Sequence, residues 1–281
     1  MTELRRRMIE DMQLAGLTSG TQDTYVRSIQ ILAQYYHRSP DQLTDEQVRD
    51  FFLYLMRERG LAKATLINYR AAIKFFYTKT LQRSVPVIDL LKGEWRRKLP
   101  VVLGQDEVRR LLSLVKDPRD RMCLTMIYSC GLRLREGTRL QVCDIHSSRM
   151  VVHVRNGKGG KDRYVPLPQR TLELLRAYWL QERPRPWLFP EKREADRPIW
   201  RERPYHTLKA VLRKSKIEKA VCVHTLRHSY ATHLLEAGVN LRVIQEVLGH
   251  KSPKTTAIYT HLTPKVLAGL QNTINGLMAQ L

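Results

Sequence analysis

The chain has 281 residues, enough for two domains, and 43% of them are hydrophobic. This fraction is typical of a chain that folds around apolar cores, and it argues against extensive disorder. Lysine and arginine together number 49 against 27 acidic residues, so the formal net charge is +22. Because the basic residues are spread over the whole chain, the charge favours a nucleic acid over a membrane surface as the partner.

Short-range patterns disfavour several other classes of protein. The four cysteines form no C-x-x-C pair, which argues against a zinc site and for reduced thiols: Cys123, Cys130, Cys143 and Cys222. No apolar run approaches the roughly 20 residues that a membrane-spanning helix needs. The first residues, Met-Thr-Glu-Leu-Arg-Arg-Arg, lead into no apolar signal segment. We therefore expect a cytoplasmic protein.

The sequence predicts a small helical bundle over residues 1–91. Apolar side chains recur at helical spacing in residues 25–36, 48–55 and 66–76, and one more helix is expected nearer the N-terminus. Thr44 and Gln47 match a capping box, which marks the start of the second of these helices. The aromatic residues of the stripes should lie in the core of the bundle.

Basic residues accompany this bundle and the segment that follows it. Lys63, Arg70 and Lys74 mostly avoid the apolar stripe, so they form either an ordinary solvated face or a surface that follows DNA phosphates. Residues 92–104 are predicted to be a linker, because the proline in Leu99-Pro100 ends any helix there. Its basic residues are further candidates for DNA contacts: Arg96, Arg97 and Lys98.

The remaining residues, 105–281, are predicted to form a mixed α+β domain. Residues 150–155 and 162–167 are rich in β-branched side chains and flank a glycine-rich turn, which predicts an antiparallel hairpin with Lys158 at its tip. The proline-rich residues 183–204 are predicted to be a loop. Helices are expected at 106–115, after Asp117-Pro118, at 172–178, 205–214, 224–237 and 241–248, and after Ser252-Pro253 and Thr263-Pro264. The predicted fold class is mainly α with a small antiparallel β-sheet.

The stretch His-Thr-Leu-Arg-His at residues 224–228 carries the clearest chemical signal. On a helix, His224 and Arg227 share one face, and this pair suits an anionic oxygen that is held while a proton moves. His224 and His228 also have a spacing that occurs in zinc sites. The glutamate of a H-E-x-x-H site is missing, however, and no third ligand stands at a suitable spacing. The sequence therefore favours an anion site over a zinc site.

Other polar residues extend this stretch into an ordered set. Arg133 follows Cys-Gly-Leu, Glu136 comes three residues later, and Lys158 stands in the glycine-rich turn. His250 ends Leu-Gly-His, and Tyr259 lies in Ile-Tyr-Thr-His. Each of these short motifs alone has an ordinary explanation, such as a surface arginine, a hairpin, or a core tyrosine with an exposed hydroxyl. Their order along the chain points to one shared site.

This ordered set resembles the catalytic pattern of the tyrosine recombinases, the phage integrase family. The positions that match in order and spacing are Arg133, Lys158, His224, Arg227, His250 and Tyr259. The similarity extends over almost the whole chain, and the compact layout resembles Xer-type and transposon-borne members. It implies a core-binding domain that clamps DNA, followed by a catalytic domain.

The resemblance also implies an activity and an assembly. Members cut and rejoin DNA strands at specific recombination sites through a 3′-phosphotyrosine intermediate and a Holliday junction. They act as homo-tetramers on two duplexes, in the nucleoid. The apolar stripe of a helix at residues 263–281 would fit packing on its own domain equally well, and the resemblance favours contact with a neighbouring protomer. Accessory DNA-bending proteins and a partner recombinase are further candidate partners.

Elementary chemistry indicates why the phosphate and the nucleophile need these residues. The transition state of phosphodiester cleavage spreads charge over the non-bridging oxygens, and the guanidinium groups of Arg133 and Arg227 can each bind two of them. The Tyr259 hydroxyl, with an ordinary pKa of about 10, needs a proton acceptor, for which His224 is the candidate. Since arginines replace a metal ion here, we expect no metal and no nucleotide cofactor.

The resemblance assigns the remaining roles. Lys158 would protonate the leaving oxygen, although Lys161 is not excluded by the sequence, and His250 would donate a hydrogen bond to the phosphate. Glu136, near Arg133, would orient the site. After Glu136 the family usually has apolar residues, whereas this chain has Gly137 and Thr138. A glycine within a helix costs about 1 kcal/mol relative to alanine, so the local helix is less strongly predicted.

Two alternatives would use the same fold differently. A DNA-binding regulator would keep the fold without catalysing strand cleavage, and the complete set of matching positions argues against it. A relaxing topoisomerase would perform the same chemistry as a monomer, and it would form no Holliday junction between paired sites.

Overall fold

The computed structural model describes residues 2–90, 99–155, 162–249 and 256, and the chain divides into two compact units, Met1–Arg97 and Lys98–Leu281. The described residues are mainly helical with a small antiparallel sheet, as the sequence predicted. Among the helices in these ranges, none is both long and apolar enough to cross a membrane.

The first unit is a bundle of helices around an aromatic core. Thr44 Oγ1 accepts a hydrogen bond from the Gln47 amide (3.2 Å), and Gln47 Oε1 accepts one from the Thr44 amide (2.9 Å), which confirms the predicted capping box. One segment of π-helix, Phe76–Thr80, continues the fourth helix and buries Phe76 and Tyr77. The helices are α1 (Glu3–Leu14), α2 (Ser19–Tyr36), α3 (Asp45–Arg57), α4 (Lys63–Phe75) and α5 (Val87–Leu90).

The second unit is built around the helix Pro118–Ser129, α7, which packs against several other helices and buries almost all of its apolar residues. The Asp117 carboxylate accepts hydrogen bonds from the amides of Arg119 and Asp120 (3.1 Å each), and Pro118 takes the first helical position, as predicted for the start of α7. The helices are α6 (Gln105–Ser113), α7 (Pro118–Ser129), α8 (Leu134–Thr138), α9 (Gln169–Glu182), α10 (Arg203–Leu212), α11 (Val223–Glu236) and α12 (Leu241–Leu248).

The sheet of the second unit contains the predicted hairpin strands. β1 (Ile145–His146), β2 (Val151–Val154) and β3 (Arg163–Pro166) are antiparallel neighbours in that order, and Val154 pairs with Arg163 at the end of the hairpin that leads to its turn. The alternate valines of β2 point into the core. The turn itself, with Lys158, lies outside the described residues. β1 was not predicted, because two residues are too few to show an alternating pattern.

The last residues of the predicted linker, 99–104, belong to the second unit. Residues 91–98 lie outside the described residues, but the Leu103 side chain is fully buried in the core of this unit. The Leu103 amide donates a hydrogen bond to Ser229 Oγ on α11 (2.9 Å). Gly104 then precedes α6, where its amide donates to the Glu107 carboxylate (2.7 Å).

The short helix α8 forms despite the glycine that weakened its prediction. A Cβ atom added to Gly137 would lie 2.6 Å from Ile127 Cγ1, so the glycine allows α8 to pack directly against α7. The buried Thr138 hydroxyl donates a hydrogen bond to the Leu134 carbonyl (3.0 Å). Gly137 therefore fits the contact between these two helices, and the buried Thr138 hydroxyl is satisfied within α8.

We predict that Gly137→Ala destabilises the second unit by about 1–3 kcal/mol. The added methyl group would clash with Ile127, and the cost of that clash outweighs the gain from the higher helix propensity of alanine. Thermal denaturation would measure the loss. The matched control is Gly20→Ala in α2, where a Cβ would meet nothing within 4 Å. Equal stability of Gly137→Ala and wild type would show that α7 and α8 can separate without cost.

Candidate active site

A tight turn between α7 and α8 places the first arginine of the site. Gly131 has a φ of +59°, and a Cβ atom there would lie 2.6 Å from the Tyr230 ring and 3.0 Å from the Leu248 side chain. Only glycine therefore fits where this turn passes between α11 and α12. Two residues later, Arg133 adopts an extended conformation as the residue that caps α8.

The second arginine, Arg227, is almost completely buried on α11. Its Nη1 donates a hydrogen bond to the Gly131 carbonyl (2.5 Å), and its Nη2 donates one to the Leu248 carbonyl (2.6 Å). Arg227 thus joins the α7–α8 turn to the end of α12. His224 lies one helical turn earlier on α11 and keeps an exposed face.

Glu136 is the carboxylate around which the arginines are arranged. Its side chain is only 6% exposed, and it accepts hydrogen bonds from the Arg133 amide (2.8 Å) and from Arg133 Nη1 (2.7 Å). Arg163, the first residue of β3, donates to both carboxylate oxygens (2.9 Å each). Arg227 Nη1 lies 3.8 Å from the same carboxylate. Among the described residues, three guanidinium groups therefore surround one buried carboxylate.

The same three arginines also bind the C-terminal end of α12. Arg163 Nε donates to the Val247 carbonyl (2.9 Å), Arg227 Nη2 to that of Leu248 (2.6 Å) and Arg133 Nη2 to that of Gly249 (3.0 Å). The last carbonyls of a helix have no partner within the helix and carry its partial negative charge, so they attract cations. Gly249, with a φ of +64°, ends α12 and immediately precedes His250 in the sequence.

Electrostatics keep the Glu136 carboxylate ionised. Burial raises its pKa, but the hydrogen bonds and charge of Arg163, followed by those of Arg133, outweigh burial and lower the pKa to about 2. Three guanidinium groups against one carboxylate leave the cluster with a positive charge. This arrangement suits an anionic ligand with several acceptor oxygens.

The two histidines of α11 are held in their neutral form. Neighbouring protein atoms shield the His224 ring in part, and this desolvation, followed by the charges of Arg227 and Arg133, lowers the pKa of His224. The His228 ring meets that of His224 edge-on at 5.8 Å, and burial, together with His224 and Arg227, lowers the pKa of His228 to about 4. A neutral His224 can accept a proton at neutral pH.

The structure brings together the predicted site residues that it describes. Arg133, Glu136 and Arg227 are in contact, and His224 lies close enough for both arginines to perturb it. Three further predicted residues lie outside the described residues, and their roles stay predictions: Lys158, His250 and Tyr259. Arg163 was not predicted as a site residue, because sequence alone does not show that β3 ends beside α8 and α12.

The predicted DNA contacts of the first unit remain predictions. Arg70 Nε donates to the Ile88 carbonyl (2.9 Å), and the Lys74 ammonium lies 2.9 Å from Asp89, so both side chains hold α5 against α4. Lys63, at the first position of α4, is exposed. The predicted contacts in the linker lie outside the described residues: Arg96, Arg97 and Lys98.

Comparison with known families identifies the family of this chain. Residues 101–265 match the model of the phage integrase family, and residues 4–87 match its N-terminal SAM-like domain. The chain belongs to the phage integrase family. It is accordingly a tyrosine recombinase, an enzyme of site-specific DNA recombination.

Individual relatives of this recombinase cover nearly the whole chain. The integrase/recombinase y4qK of Sinorhizobium fredii is 43% identical over 95% of this chain and 87% of its own length. The tyrosine recombinase XerD of Oceanobacillus iheyensis is 32% identical over 88% of this chain and 89% of its own. The Tn1549 transposon integrase shares the fold, with a TM-score of 0.73, 19% identity and coverage of 98% and 100% of the two chains.

We predict that replacing Glu136 removes a pH-dependent part of the stability of the recombinase. Its folded pKa of about 2 lies below the unfolded value of about 4.3, so the stabilisation is complete above pH 4.3 and disappears as the pH falls through 2. Glu136→Gln should lower the free energy of unfolding by roughly 3 kcal/mol at pH 7. The deficit should shrink between pH 4.3 and pH 2, as measured by urea denaturation.

Glu246→Gln is the control for this measurement. Glu246 forms an exposed ion pair with Arg242 on α12, which contributes little to stability. A Glu136→Gln deficit that stays constant down to pH 2 would show that the shape of the side chain matters and its charge does not.

Proposed function

We propose that this tyrosine recombinase cuts and rejoins duplex DNA through a covalent 3′-phosphotyrosine with Tyr259 as the nucleophile. The observation that carries the proposal is the cluster of Arg133, Arg163 and Arg227 around Glu136, with a neutral His224 beside it. This cluster has the charge and donor geometry for a phosphodiester, and it has a proton acceptor at its edge.

Duplex DNA is the substrate that the charge and the comparisons favour. The chain carries a net charge of +22, and the structure of the Tn1549 integrase is that of a complex with transposon right end DNA. A protein of this charge gains affinity for DNA by releasing counterions from the phosphates it contacts. Specific recombination sites, rather than bulk DNA, are the substrates proposed here.

The proposed reaction conserves the energy of the phosphodiester. The Tyr259 oxygen attacks phosphorus, its proton passes to His224, and the bond from phosphorus to the 5′ oxygen breaks. Lys158 gives the leaving 5′ oxygen its proton, while Arg133, Arg227 and His250 bind the non-bridging oxygens. A 5′ hydroxyl from another strand then reverses these steps and releases the tyrosine. No nucleotide cofactor is needed, because one ester has replaced another.

The proposed assembly is a homo-tetramer on two duplexes, which exchanges one pair of strands to form a Holliday junction and then the second pair. The proposed contact between protomers is the segment 263–281. Leu267, Leu270, Ile274 and Leu277 recur there at alternating spacings of three and four, so on a helix they would form one apolar stripe. Residues 1–91 would serve as the DNA-clamp domain.

We expect Tyr259→Phe to bind DNA with wild-type affinity and to form no covalent adduct. The substrate is a duplex selected from a randomised pool by gel shift and then nicked so that religation is impossible. Adducts are counted on a denaturing gel, in excess EDTA, because the arginines take the place of a metal ion. Tyr164→Phe, which alters an exposed tyrosine of the sheet, is the control and should behave as wild type.

An adduct formed by Tyr259→Phe would assign the nucleophile to another residue. If wild type formed its adduct only with added magnesium or zinc, the proposal that arginines take the place of a metal ion would be contradicted. Binding without any wild-type adduct would favour the alternative of a DNA-binding regulator.

A second test distinguishes Lys158 from Lys161 as the acid. Lys158→Ala should cleave ordinary DNA about 100-fold more slowly than wild type, since general acid catalysis contributes about that much. On a substrate with a 5′-bridging phosphorothiolate, whose sulfur leaves without a proton, it should cleave at nearly the wild-type rate. Lys161→Ala should be close to wild type on both substrates, and the reverse pattern would show that Lys161 is the acid.

A further inference from the structure

Arg163 makes more contacts within the arginine cluster than its position in the sequence suggests. Its side chain is 12% exposed. Its two terminal nitrogens donate to the two oxygens of Glu136, and its Nε donates to the Val247 carbonyl (2.9 Å in each case). A planar guanidinium can make these three bonds at once, whereas a lysine ammonium cannot match that geometry. One side chain of β3 therefore fixes both α8 and the end of α12.

Arg155 provides an internal comparison, because it stands at the same end of the neighbouring strand. Its Nε lies 2.9 Å from one oxygen of Asp144, and its Nη2 donates to the other (3.0 Å). The Asp144 side chain is 4% exposed, so this is also an arginine fork on a buried carboxylate. The two forks anchor the two strands of one hairpin, but only the fork of Arg163 involves the arginine cluster.

The positive charge of Arg163 also affects the ion pairs of the other two arginines, beyond its role in anchoring the strand. Both Glu136 oxygens accept hydrogen bonds from Arg163, and one of them also accepts from Arg133 Nη1. The charge of Glu136 is therefore divided among several guanidinium groups and does not neutralise Arg133 alone. Without Arg163, Glu136 would pair with Arg133 and Arg227 alone, and these two arginines would stabilise less of the charge that develops on the reacting phosphate in the transition state. The Val247 carbonyl would also lose its partner, immediately before the segment that leads to His250.

The Arg163 side chain packs closely against Gly249. A Cβ atom at Gly249 would lie 3.1 Å from Arg163 Cδ and 3.2 Å from its Nε. Gly249 also accepts the hydrogen bond of Arg133 Nη2 through its carbonyl (3.0 Å). The absence of a side chain at Gly249 therefore lets Arg163 lie flat against the end of α12 while Arg133 binds the same residue.

We propose that Arg163 is a positioning residue, which holds Glu136 and the end of α12 in the one arrangement where Arg133 and Arg227 can bind the reacting phosphate. The proposal rests on the function proposed above. It assigns to the return strand of the hairpin a role in organising the arginine cluster, in addition to any role of the hairpin turn.

The test compares Arg163→Gln and Arg163→Lys with Arg155→Gln and Arg155→Lys. Two quantities are measured on the selected nicked duplex, the dissociation constant by gel shift and the rate constant of adduct formation at saturating DNA. Misplaced catalytic groups cost rate at saturation, so Arg163→Gln should react about 100-fold more slowly and Arg163→Lys about 10-fold more slowly. Their dissociation constants, and both quantities for the Arg155 variants, should stay within about threefold of wild type.

A third variant keeps the test decisive if Arg163→Gln melts at a much lower temperature than wild type. Gly249→Ala retains every hydrogen-bonding side chain but crowds Arg163 and strains the backbone, because φ is +64° there, so it should also slow adduct formation at saturating DNA. Both changes disturb the same arrangement. The double variant of Arg163→Lys with Gly249→Ala should therefore lose much less rate, relative to wild type, than the product of the two single losses.

The possible results separate the two proposals. Equal rates for the Arg163 and Arg155 variants, or a weakened dissociation constant with an unchanged saturated rate, would overturn the positioning role. Independent, multiplicative effects of Arg163→Lys and Gly249→Ala would overturn it as well. If wild type itself binds the duplex and forms no adduct, the proposed function fails, and the role of Arg163 fails with it.

Discussion

The active site of this recombinase depends on the burial of the Glu136 carboxylate among guanidinium groups. Guanidinium groups that lie this close repel each other, and a shared counter-charge offsets that repulsion. Glu136 supplies that charge from within the protein, and its pKa of about 2 keeps it ionised at every working pH. A single carboxylate against three guanidinium groups leaves the cluster positive, which is the condition for attracting an anion.

The same cluster explains why elements far apart in the sequence must meet accurately. The α7–α8 turn, α8, β3, α11 and the end of α12 all contribute groups to it. Three glycines mark the closest approaches, and each lies where a methyl group would meet a neighbouring side chain: Gly131, Gly137 and Gly249. The packing of the second unit therefore determines the geometry of the site, because the arginines reach their partners only where these elements pack closely.

The sequence predicts the parts of this structure that are encoded locally. The capping box of Thr44, the start of α7 at Pro118 and the two hairpin strands follow from spacing and turn chemistry within a few residues. Glycine at position 137 was misleading, because its cost to a helix is local whereas its benefit depends on contact with α7. Arg163 was missed for the same reason, since its two hydrogen-bond partners, Glu136 and Val247, lie 27 and 84 residues away in the chain.

The proximity of the arginines to His224 links binding to proton transfer in the proposed reaction. Partial desolvation and the charges of Arg227 and Arg133 lower the pKa of His224, so the free enzyme holds this histidine neutral. A phosphodiester bound to those arginines would offset their charge and raise the pKa of His224 towards its ordinary value. The histidine would thus become a better proton acceptor when the substrate is bound. One positive cluster can therefore recruit the phosphate, keep its base deprotonated beforehand, and strengthen that base once the phosphate is in place.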